Sequence, residues 1–363
     1  MSATQAAVET AIKDYIDPYL EKDLVTAMAV KDIAVDGDKA TVKIVLGYPA
    51  AGHVAKVAAD ITKMVEAVDG ISSADVDVSF EIASHSVQGS LKPLQGIKNI
   101  IAVASGKGGV GKSTTTVNLA LALQAEGATV GVLDADIYGP SIPRMLGVSE
   151  GKPESADGKS LEPIVGHGIQ AMSIGFMIDD ETPMIWRGPM VTQALEQLLT
   201  DTQWKDLDYL IIDLPPGTGD IQLTLAQKVP LTGAVIVTTP QDIALLDARK
   251  GLKMFEKVEV PVLGIVENMS IHICSECGHA EHIFGTGGGE KMSEDYDVDF
   301  LGALPLDISI RQNVDDGKPN VAIDPDSQVS MIYREIARRT GAKIALQGKD
   351  FTAKFPNIVI QNT

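Results

Sequence analysis

Cysteines, basic residues and long apolar runs are all scarce in this chain of 363 residues. Two cysteines are too few for a framework of disulfides. The 30 lysines and arginines are outnumbered by 49 aspartates and glutamates, and the net charge of −19 disfavours wrapping around nucleic acid or an anionic membrane. No apolar run approaches the length of a membrane span, and the N-terminus lacks the basic start and apolar core of a signal peptide. We therefore expect a soluble, cytoplasmic protein with no nucleic-acid and no membrane partner.

A glycine-rich stretch from Ser105 to Thr114 fits the phosphate-binding pattern G-x-x-x-x-G-K-[ST]. The apolar run Ile100–Ala104 predicts a buried strand before it, and the apolar spacing over Thr115–Ala125 predicts a helix after it. Glycines let the backbone wrap a phosphate with its N–H groups pointing inward. We expect Lys112 to neutralise phosphate charge, with little contribution to the core, and Ser113 to hold Mg²⁺. The predicted ATP-binding residues are Gly106, Lys107, Gly108, Gly109, Val110, Gly111, Lys112, Ser113 and Thr114.

The periodicity of the sequence divides the chain into four parts. Residues 1–88 predict a small α+β domain, and residues 89–96, with Gly89 and Pro93, indicate a linker. From 97 to 342, short apolar strands alternate with helices, which predicts an α/β fold with a mostly parallel sheet and helices on both faces. Residues 343–363 carry no strong pattern and form a C-terminal tail. The predicted strands of the larger domain are Ile100–Ala104, Thr129–Asp134, Ile169–Ser173, Tyr209–Asp213, Ala234–Thr238, Val262–Glu267 and Phe300–Leu304.

Aspartates end two of these strands. Asp134 ends one and Asp136 follows two residues later, while Asp213 closes another in the manner of a Walker B strand. A single aspartate at a strand end is more often a helix cap or a turn residue. Because the carboxyl ends of parallel strands meet at one edge of the sheet, three such residues near one P-loop favour a catalytic arrangement. We expect Asp213 to organise Mg²⁺ together with Ser113, Asp136 to position the attacking water, and Asp134 to be structural.

Several further segments follow one another as they do in a known family. They are Asp134-Ala-Asp-Ile-Tyr-Gly-Pro-Ser141, Trp186-Arg-Gly-Pro-Met190, Asp213-Leu-Pro-Pro-Gly-Thr-Gly-Asp220, Thr239-Pro-Gln-Asp242, Glu267-Asn-Met-Ser270 and Ile283-Phe-Gly285. With them, residues 95–342 resemble the Mrp/ApbC family of P-loop ATPases that carry iron–sulfur clusters. Residues 1–88 resemble the SufT-like domain that stands in front of many of these proteins. Lys107, directly after the first glycine of the P-loop, resembles the deviant Walker motif of the MinD, ParA, ArsA and nitrogenase iron protein group.

The resemblance implies a fold of the MinD and nitrogenase iron protein type and a homodimer with nucleotides near its interface. It implies that Lys107 reaches the nucleotide of the partner subunit and that Asn268 contacts adenine. It also implies slow, Mg²⁺-dependent hydrolysis of ATP. Lys107 thereby joins Lys112 and Asp136 as a predicted catalytic residue.

The two cysteines form one motif, Cys274-Ser275-Glu276-Cys277. This spacing is compatible with a metal site, a redox pair or neither. His279 and His282 lie just downstream, so one chain could hold Zn²⁺ with two cysteines and two histidines. A thioredoxin-like pair and two inert cysteines are the other interpretations. The family resemblance implies instead that two subunits place four cysteines around one [4Fe–4S] cluster at the two-fold axis.

Together these features predict an ATP-binding and ATP-hydrolysing carrier that receives a labile [4Fe–4S] cluster from a donor and transfers it to apoproteins. The alternative is a positioning ATPase like MinD or ParA, in which Cys274 and Cys277 either bind zinc or are inert. Such a protein needs an amphipathic membrane-binding tail or basic DNA-binding patches, and neither residues 349–363 nor the negative charge supplies them. A third class, a P-loop metabolic enzyme such as a dethiobiotin synthetase-like ligase, would not need the cysteine motif.

Overall fold

The N-terminal part of the protein is a small mixed domain. The structure, a computed structural model, describes residues 3–89, 91–178, 188–274 and 276–349. The elements of this domain are α1 (Ala3–Lys13), β1 (Val30–Asp36), β2 (Lys39–Leu46), α2 (Val54–Glu66) and β3 (Ser73–Phe80). β2 lies in the centre, antiparallel to β1 and parallel to β3. Alternate residues of β2, among them Val42 and Ile44, are buried, because the two helices cover one face of the sheet.

A larger domain follows, built on an eight-stranded sheet. Its strands are β4 (Ile97–Ala104), β5 (Val130–Asp134), β6 (Ile164–Gly166), β7 (Ile169–Ser173), β8 (Leu207–Asp213), β9 (Gly233–Thr238), β10 (Val262–Glu267) and β13 (Phe300–Ala303). A separate hairpin consists of β11 (His272–Ile273) and β12 (Ala280–Glu281). The order in the large sheet is β13-β10-β9-β4-β8-β5-β7-β6, and the pair β6–β7 alone is antiparallel. The sequence predicted the parallel strands but neither β6 nor the hairpin.

Helices cover both faces of this sheet. They are α3 (Lys112–Ala125), α4 (Ile142–Met145), α5 (Gly188–Asp201), α6 (Asp220–Lys228), α7 (Asp242–Lys257), α8 (Gly288–Tyr296), α9 (Ile308–Asp315), α10 (Asn320–Ile323) and α11 (Gln328–Ala345). α3 packs with α10 and α11, while α5 to α8 form a second packed group. The predicted fold class, an α/β domain with a mostly parallel sheet behind a small α+β domain, is confirmed. Across the described ranges, no helix combines the length and apolar character needed to span a bilayer.

The connection between the domains packs mainly on the larger one. Ile82 lies in the larger core, Nδ1 of His85 is 3.0 Å from the side-chain oxygen of Asn99, and Gln88 donates to two carbonyls at the end of α6. The chain therefore reaches the larger core before the predicted boundary at residue 88. At the other end, α11 continues past the predicted boundary at 342, and Ala342 belongs to the small core. Residues 350–363 of the predicted tail lie outside the described residues.

A buried ion-pair network joins α3 and α11 to the small domain. Glu126, directly after α3, is fully buried. Its Oε1 accepts hydrogen bonds from Arg334 and Arg338, both at 2.7 Å, and its Oε2 accepts from the backbone N–H of Gly52 at 2.8 Å. Arg338 also donates to the Tyr19 hydroxyl at 2.7 Å. Burial acts to raise the pKa of Glu126, but these hydrogen bonds hold it below its ordinary value.

Candidate functional site

The predicted phosphate-binding loop leaves β4 and ends at the N-terminus of α3. Gly106 packs so closely on α7 that a Cβ there would overlap the backbone of Asp247 and Ala248. Gly111, the N-cap of α3, has a φ of 82°, a left-handed conformation that favours glycine. The path of the loop therefore depends on glycine at both positions.

An open cleft of about 220 Å³ lies over this loop. The predicted site residues that line it are Gly108, Gly109, Gly111, Lys112, Ser113, Thr114 and Asp136. Three other predicted loop residues, Gly106, Lys107 and Val110, do not line it. The lining also contains residues that sequence reasoning did not assign to the site, namely Ser105, Ser141, Met145 and Pro216. Ser141 belongs to one of the family segments but was not assigned to the site, and Met145 reaches the cleft from α4, which packs on α3.

Lys112 and Asp213 form a buried ion pair in this region. Lys112 is 6% exposed and Asp213 is fully buried, and Nζ and Oδ1 are 2.7 Å apart. Asp213 also accepts from the hydroxyls of Ser113 at 2.5 Å and Thr116 at 2.8 Å. The expectation that Lys112 contributes little to the core is therefore wrong, because its ammonium compensates a buried carboxylate. Thr116 was missed, although its place one helical turn after Lys112 was a usable signal.

Asp134, the last residue of β5, and Asp136, two residues later, occupy different environments. Asp134 is fully buried and accepts four hydrogen bonds. The donors are the backbone N–H groups of Asp136, Ser141 and Ile142 and the hydroxyl of Ser173. Burial and the neighbouring Asp213 carboxylate raise the pKa of Asp134 to about 7. Burial also raises the pKa of Asp136, whose Oδ2 lies 3.9 Å from Nζ of Lys112.

Lys107 lies beside the N-terminal end of α7. Its Nζ is 3.5 Å from Oε1 of Gln241, the N-cap residue of that helix. Ile243 and Leu246, one turn apart on the same helix, are 68% and 54% exposed. Together these two side chains form a small exposed apolar patch on α7.

Asn268, at the end of β10, contacts the phosphate-binding loop from the side. Its Nδ2 donates to the carbonyl of Val110 at 2.8 Å, and its Oδ1 accepts from the N–H of Met269 at 2.9 Å. The side chain is nearly buried. The structure thus gives Asn268 a contact within the protein that the sequence did not reveal, and its contact with adenine stays a prediction.

Cys274 and Cys277 lie at the tip of the hairpin of β11 and β12. The N–H of Cys274 donates to the carbonyl of His279, and the N–H of Gly278 donates to the carbonyl of Cys274, which closes the turn. Hydrogen bonds to the Cys274 sulfur from the backbone N–H groups of Cys277 and Glu276, and from the Cys277 thiol, lower the pKa of Cys274. Cys277 is exposed. The intervening residue 275 lies outside the described residues.

The available ligands suit two kinds of metal. The Ser113 hydroxyl and the Asp213 carboxylate offer the oxygen ligands that Mg²⁺ prefers, whereas the cysteines offer soft sulfur. Within the part of the chain that the structure describes, no three or more His, Cys, Asp or Glu side chains converge as a metal site. A zinc site that includes His279 and His282 is therefore not assembled here. Nδ1 of His282 instead lies 2.8 Å from the carbonyl oxygen of Ser270.

Comparison with known proteins gives matches over both domains. Residues 96–340 match the family model described as NUBPL iron-transfer P-loop NTPase, and residues 5–78 match that of an iron–sulfur cluster assembly protein. An iron–sulfur cluster carrier protein of Pseudomonas fragi is 62% identical over 275 residues, which make up 76% of this chain and 96% of that protein. Another, of Escherichia coli (strain K12), is 51% identical over 347 residues, 96% of this chain and 94% of that protein.

A solved structure gives a further match. A nucleotide-binding protein from Archaeoglobus fulgidus, in complex with ADP, is 40% identical and has a TM-score of 0.55, covering 61% of this chain and 88% of that chain. Trp186 and Arg187, which belong to one of the family segments, lie outside the described residues. The family match extends over the P-loop, the strand-end aspartates and the cysteine hairpin. This protein therefore belongs to the NUBPL iron-transfer P-loop NTPase family and carries an iron–sulfur cluster assembly domain on the N-terminal side of its P-loop domain.

Proposed function

We propose that this protein is an ATP-dependent carrier of iron–sulfur clusters. It binds and slowly hydrolyses ATP with Mg²⁺, holds a labile [4Fe–4S] cluster, and passes that cluster from a donor to apoproteins in the cytoplasm. The observation that carries the proposal is that one domain contains both a P-loop cleft and a cysteine pair at the tip of a hairpin, in which Cys277 is exposed and hydrogen bonds lower the pKa of Cys274. The names of relatives that cover nearly the whole chain support the same conclusion.

ATP is the substrate of the cleft. The N–H groups of the loop and the ammonium of Lys112 bind its phosphate oxygens. To reach them, Lys112 must leave Asp213, with which it is paired at 2.7 Å. Ser113 and Asp213 would hold Mg²⁺, which neutralises phosphate charge when bound. Lys112 and Asp213 thus exchange partners when the phosphates arrive.

Asp136 is the residue that we assign to the attacking water. Its backbone N–H is held by Asp134 at 3.1 Å, and its side chain lines the cleft. Burial raises the pKa of Asp136, which brings this carboxylate closer to the basicity of an effective general base near neutral pH. The role of Asp134 is to position this loop.

The cluster is cargo, and it needs a second copy of the chain. A [4Fe–4S] cluster takes four thiolates, and the chain contains two cysteines. A homodimer that brings two hairpins together supplies four. The exposed side chains of Ile243 and Leu246 beside Lys107 are the face through which we propose the copies pair, with Lys107 reaching the partner's nucleotide. Because Cys277 is exposed, a donor and an apoprotein could both approach the cluster.

Anaerobic reconstitution with iron and sulfide tests the cluster part of the proposal. We expect about four iron and four sulfide ions per dimer, and their loss in Cys274→Ser and in Cys277→Ser. His279→Ala is the matched control and should keep the cluster, whereas His282→Ala also removes the hydrogen bond to the Ser270 carbonyl. One tightly held zinc per monomer, lost in the histidine variants and without cluster formation, would overturn the carrier function. That outcome would favour a positioning ATPase like MinD or ParA.

Titration with a fluorescent ATP analogue tests the nucleotide part. Lys112→Ala should lose nucleotide binding or hydrolysis while keeping the reconstituted cluster, because the lysine supplies phosphate contacts and not cluster ligands. Circular dichroism checks that the variant is folded. Normal ATP turnover by a folded Lys112→Ala protein would contradict the assignment.

A further inference from the structure

Thr116, one helical turn after Lys112 on α3, is fully buried against the carboxylate of Asp213. Its hydroxyl oxygen lies 2.8 Å from Oδ1 of Asp213 and 3.0 Å from the carbonyl oxygen of Lys112. A hydroxyl has a single proton to donate. A hydrogen bond to a carboxylate is stronger than one to a neutral carbonyl. We therefore assign the proton of the Thr116 hydroxyl to Asp213.

The fold itself brings this hydroxyl to the end of β8. β4 and β8 are parallel neighbours, and Val103 near the end of β4 lies opposite Asp213. α3 follows β4 after the phosphate-binding loop, and side chains on a helix lean toward its N-terminus. The Thr116 side chain therefore points back toward the sheet edge where Asp213 lies. Its contact with the carbonyl four residues back favours one of the two rotamers that a helical threonine adopts.

The other side chains that hold Asp213 have separate roles in the proposed function. Lys112, 2.7 Å from Oδ1, turns to the phosphates, and Ser113, 2.5 Å from Oδ2, turns to Mg²⁺. Asp213 is fully buried, so its carboxylate needs partners within the protein. Among the side-chain partners that the structure describes, Thr116 is the one that binds neither phosphate nor metal in that proposal. It can stay on Asp213 throughout.

We propose that Thr116 is a positioning residue that holds Asp213 in place for Mg²⁺ while Lys112 moves to the phosphates. The inference rests on the proposed function, because it adds a residue to the same Mg²⁺ site. Oδ1 of Asp213 stays on Thr116, which leaves Oδ2, the oxygen that faces Ser113, for the metal. A carboxylate held by a hydrogen bond is oriented before the metal arrives and binds it more tightly than a free one.

The affinity for a fluorescent, non-hydrolysable ATP analogue, measured in excess Mg²⁺ and again in EDTA, tests this role. The ratio of the two dissociation constants gives the gain from Mg²⁺. Thr116→Val keeps the shape of the side chain without its hydroxyl. We expect Mg²⁺ to tighten binding to the parent and Thr116→Val to lose about tenfold of that gain, the lower end of the effect of removing a metal ligand's hydrogen-bond partner.

The measurement in EDTA separates this role from general damage to the cleft. Without Mg²⁺, the Ser113 hydroxyl still holds Asp213, so the affinity of Thr116→Val should stay close to that of the parent. Damage to the cleft would instead weaken binding equally under both conditions and leave the ratio unchanged. Circular dichroism checks that each variant is folded.

Three further variants provide the controls. Thr116→Ser keeps the hydroxyl and should keep the gain from Mg²⁺, whereas Thr116→Ala should lose it as Thr116→Val does. Thr340→Val is the matched control and should respond like the parent. Thr340 is also fully buried, and its hydroxyl donates to the carbonyl four residues back, that of Ile336, at 2.8 Å. It lies on α11, outside the described lining of the cleft.

Two results would overturn the inference alone. Thr116→Val could keep the full gain from Mg²⁺, or Thr116→Ser and Thr116→Ala could show the same gain. If Thr116→Val does not fold, the comparison of the serine and alanine variants decides. A parent that binds the analogue equally well in Mg²⁺ and in EDTA would refute the magnesium part of the proposed function and this inference with it.

Discussion

The substitution Glu126→Gln removes one negative charge from the interdomain ion-pair network. It leaves the size and shape of the side chain nearly unchanged. Glu126 is fully buried and accepts hydrogen bonds from Arg334, Arg338 and the backbone of Gly52. Glutamine can still accept from the Gly52 N–H. It leaves Arg338, which is 5% exposed, without a compensating carboxylate. An uncompensated buried guanidinium is the main source of the expected loss of stability.

The size of this loss follows from the burial of the network. Removing one partner of a buried ion pair costs about 3 to 5 kcal/mol. Because glutamine keeps part of the hydrogen bonding, we expect the lower end of that range, about 3 kcal/mol in the free energy of unfolding. In a domain of this size, that loss lowers the Tm by roughly 6 to 12 °C.

The pH dependence of the effect has a definite sign. The pKa of Glu126 in the folded protein is below its ordinary value of 4.5. Its contribution is therefore fully present above that ordinary value, and it disappears as the pH falls through the lower folded pKa. The difference between parent and variant should stay constant from about pH 8 to about pH 5 and shrink in more acidic solution.

Scanning calorimetry across this pH range measures both effects. Glu335→Gln, an exposed glutamate on the same helix α11, is the matched control and should change the free energy of unfolding by less than about 0.5 kcal/mol. A Tm of Glu126→Gln within about 2 °C of the parent would refute the argument from burial. A difference between the two proteins that grows toward acid pH would refute the argument from charge.

Other expectations concern the P-loop and its carboxylates. Asp136→Asn should keep ATP binding and lose most hydrolysis, because an amide cannot accept the proton of the attacking water. Nucleotide titration measures binding, and phosphate release measures hydrolysis. The same phenotype in Asp134→Asn alone would reverse the roles assigned to the two aspartates. A mixture of the Lys107→Ala and Lys112→Ala proteins should have an ATPase activity that departs from the average of the two separate activities. An activity equal to that average would mean that Lys107 acts within its own subunit. The pKa of Asp134 is raised to about 7, so the folded state keeps a proton that the unfolded state releases. The contribution of Asp134 to the free energy of unfolding should therefore decrease as the pH rises from about 4 to about 7. Urea titrations should show this fall in the parent relative to Asp134→Asn.

The sequence alone determined the architecture of the larger domain and the place of its P-loop. Apolar runs between helical segments predicted a mostly parallel sheet, and the observed pairing, parallel except between β6 and β7, agrees with it. The glycines at 106 and 111 could be predicted because the pattern is contiguous. Gly111 has a local requirement, its left-handed φ, whereas the need for glycine at 106 comes from its close packing on α7. The aspartates at the carboxyl ends of β5 and β8 could be placed near the loop because parallel strands bring these ends to one edge of the sheet.

Only the tertiary structure decided which distant side chains support that framework. Asn268 contacts Val110, and Glu126 pairs with Arg338, across long stretches of chain that no local pattern connects. The burial of Lys112 was also hidden, because a charged residue in a glycine-rich loop gives no sign that packing will exclude water from it. Hydrogen-bond partners of buried groups are set by how the elements pack, and charge compensation in a core follows from that packing.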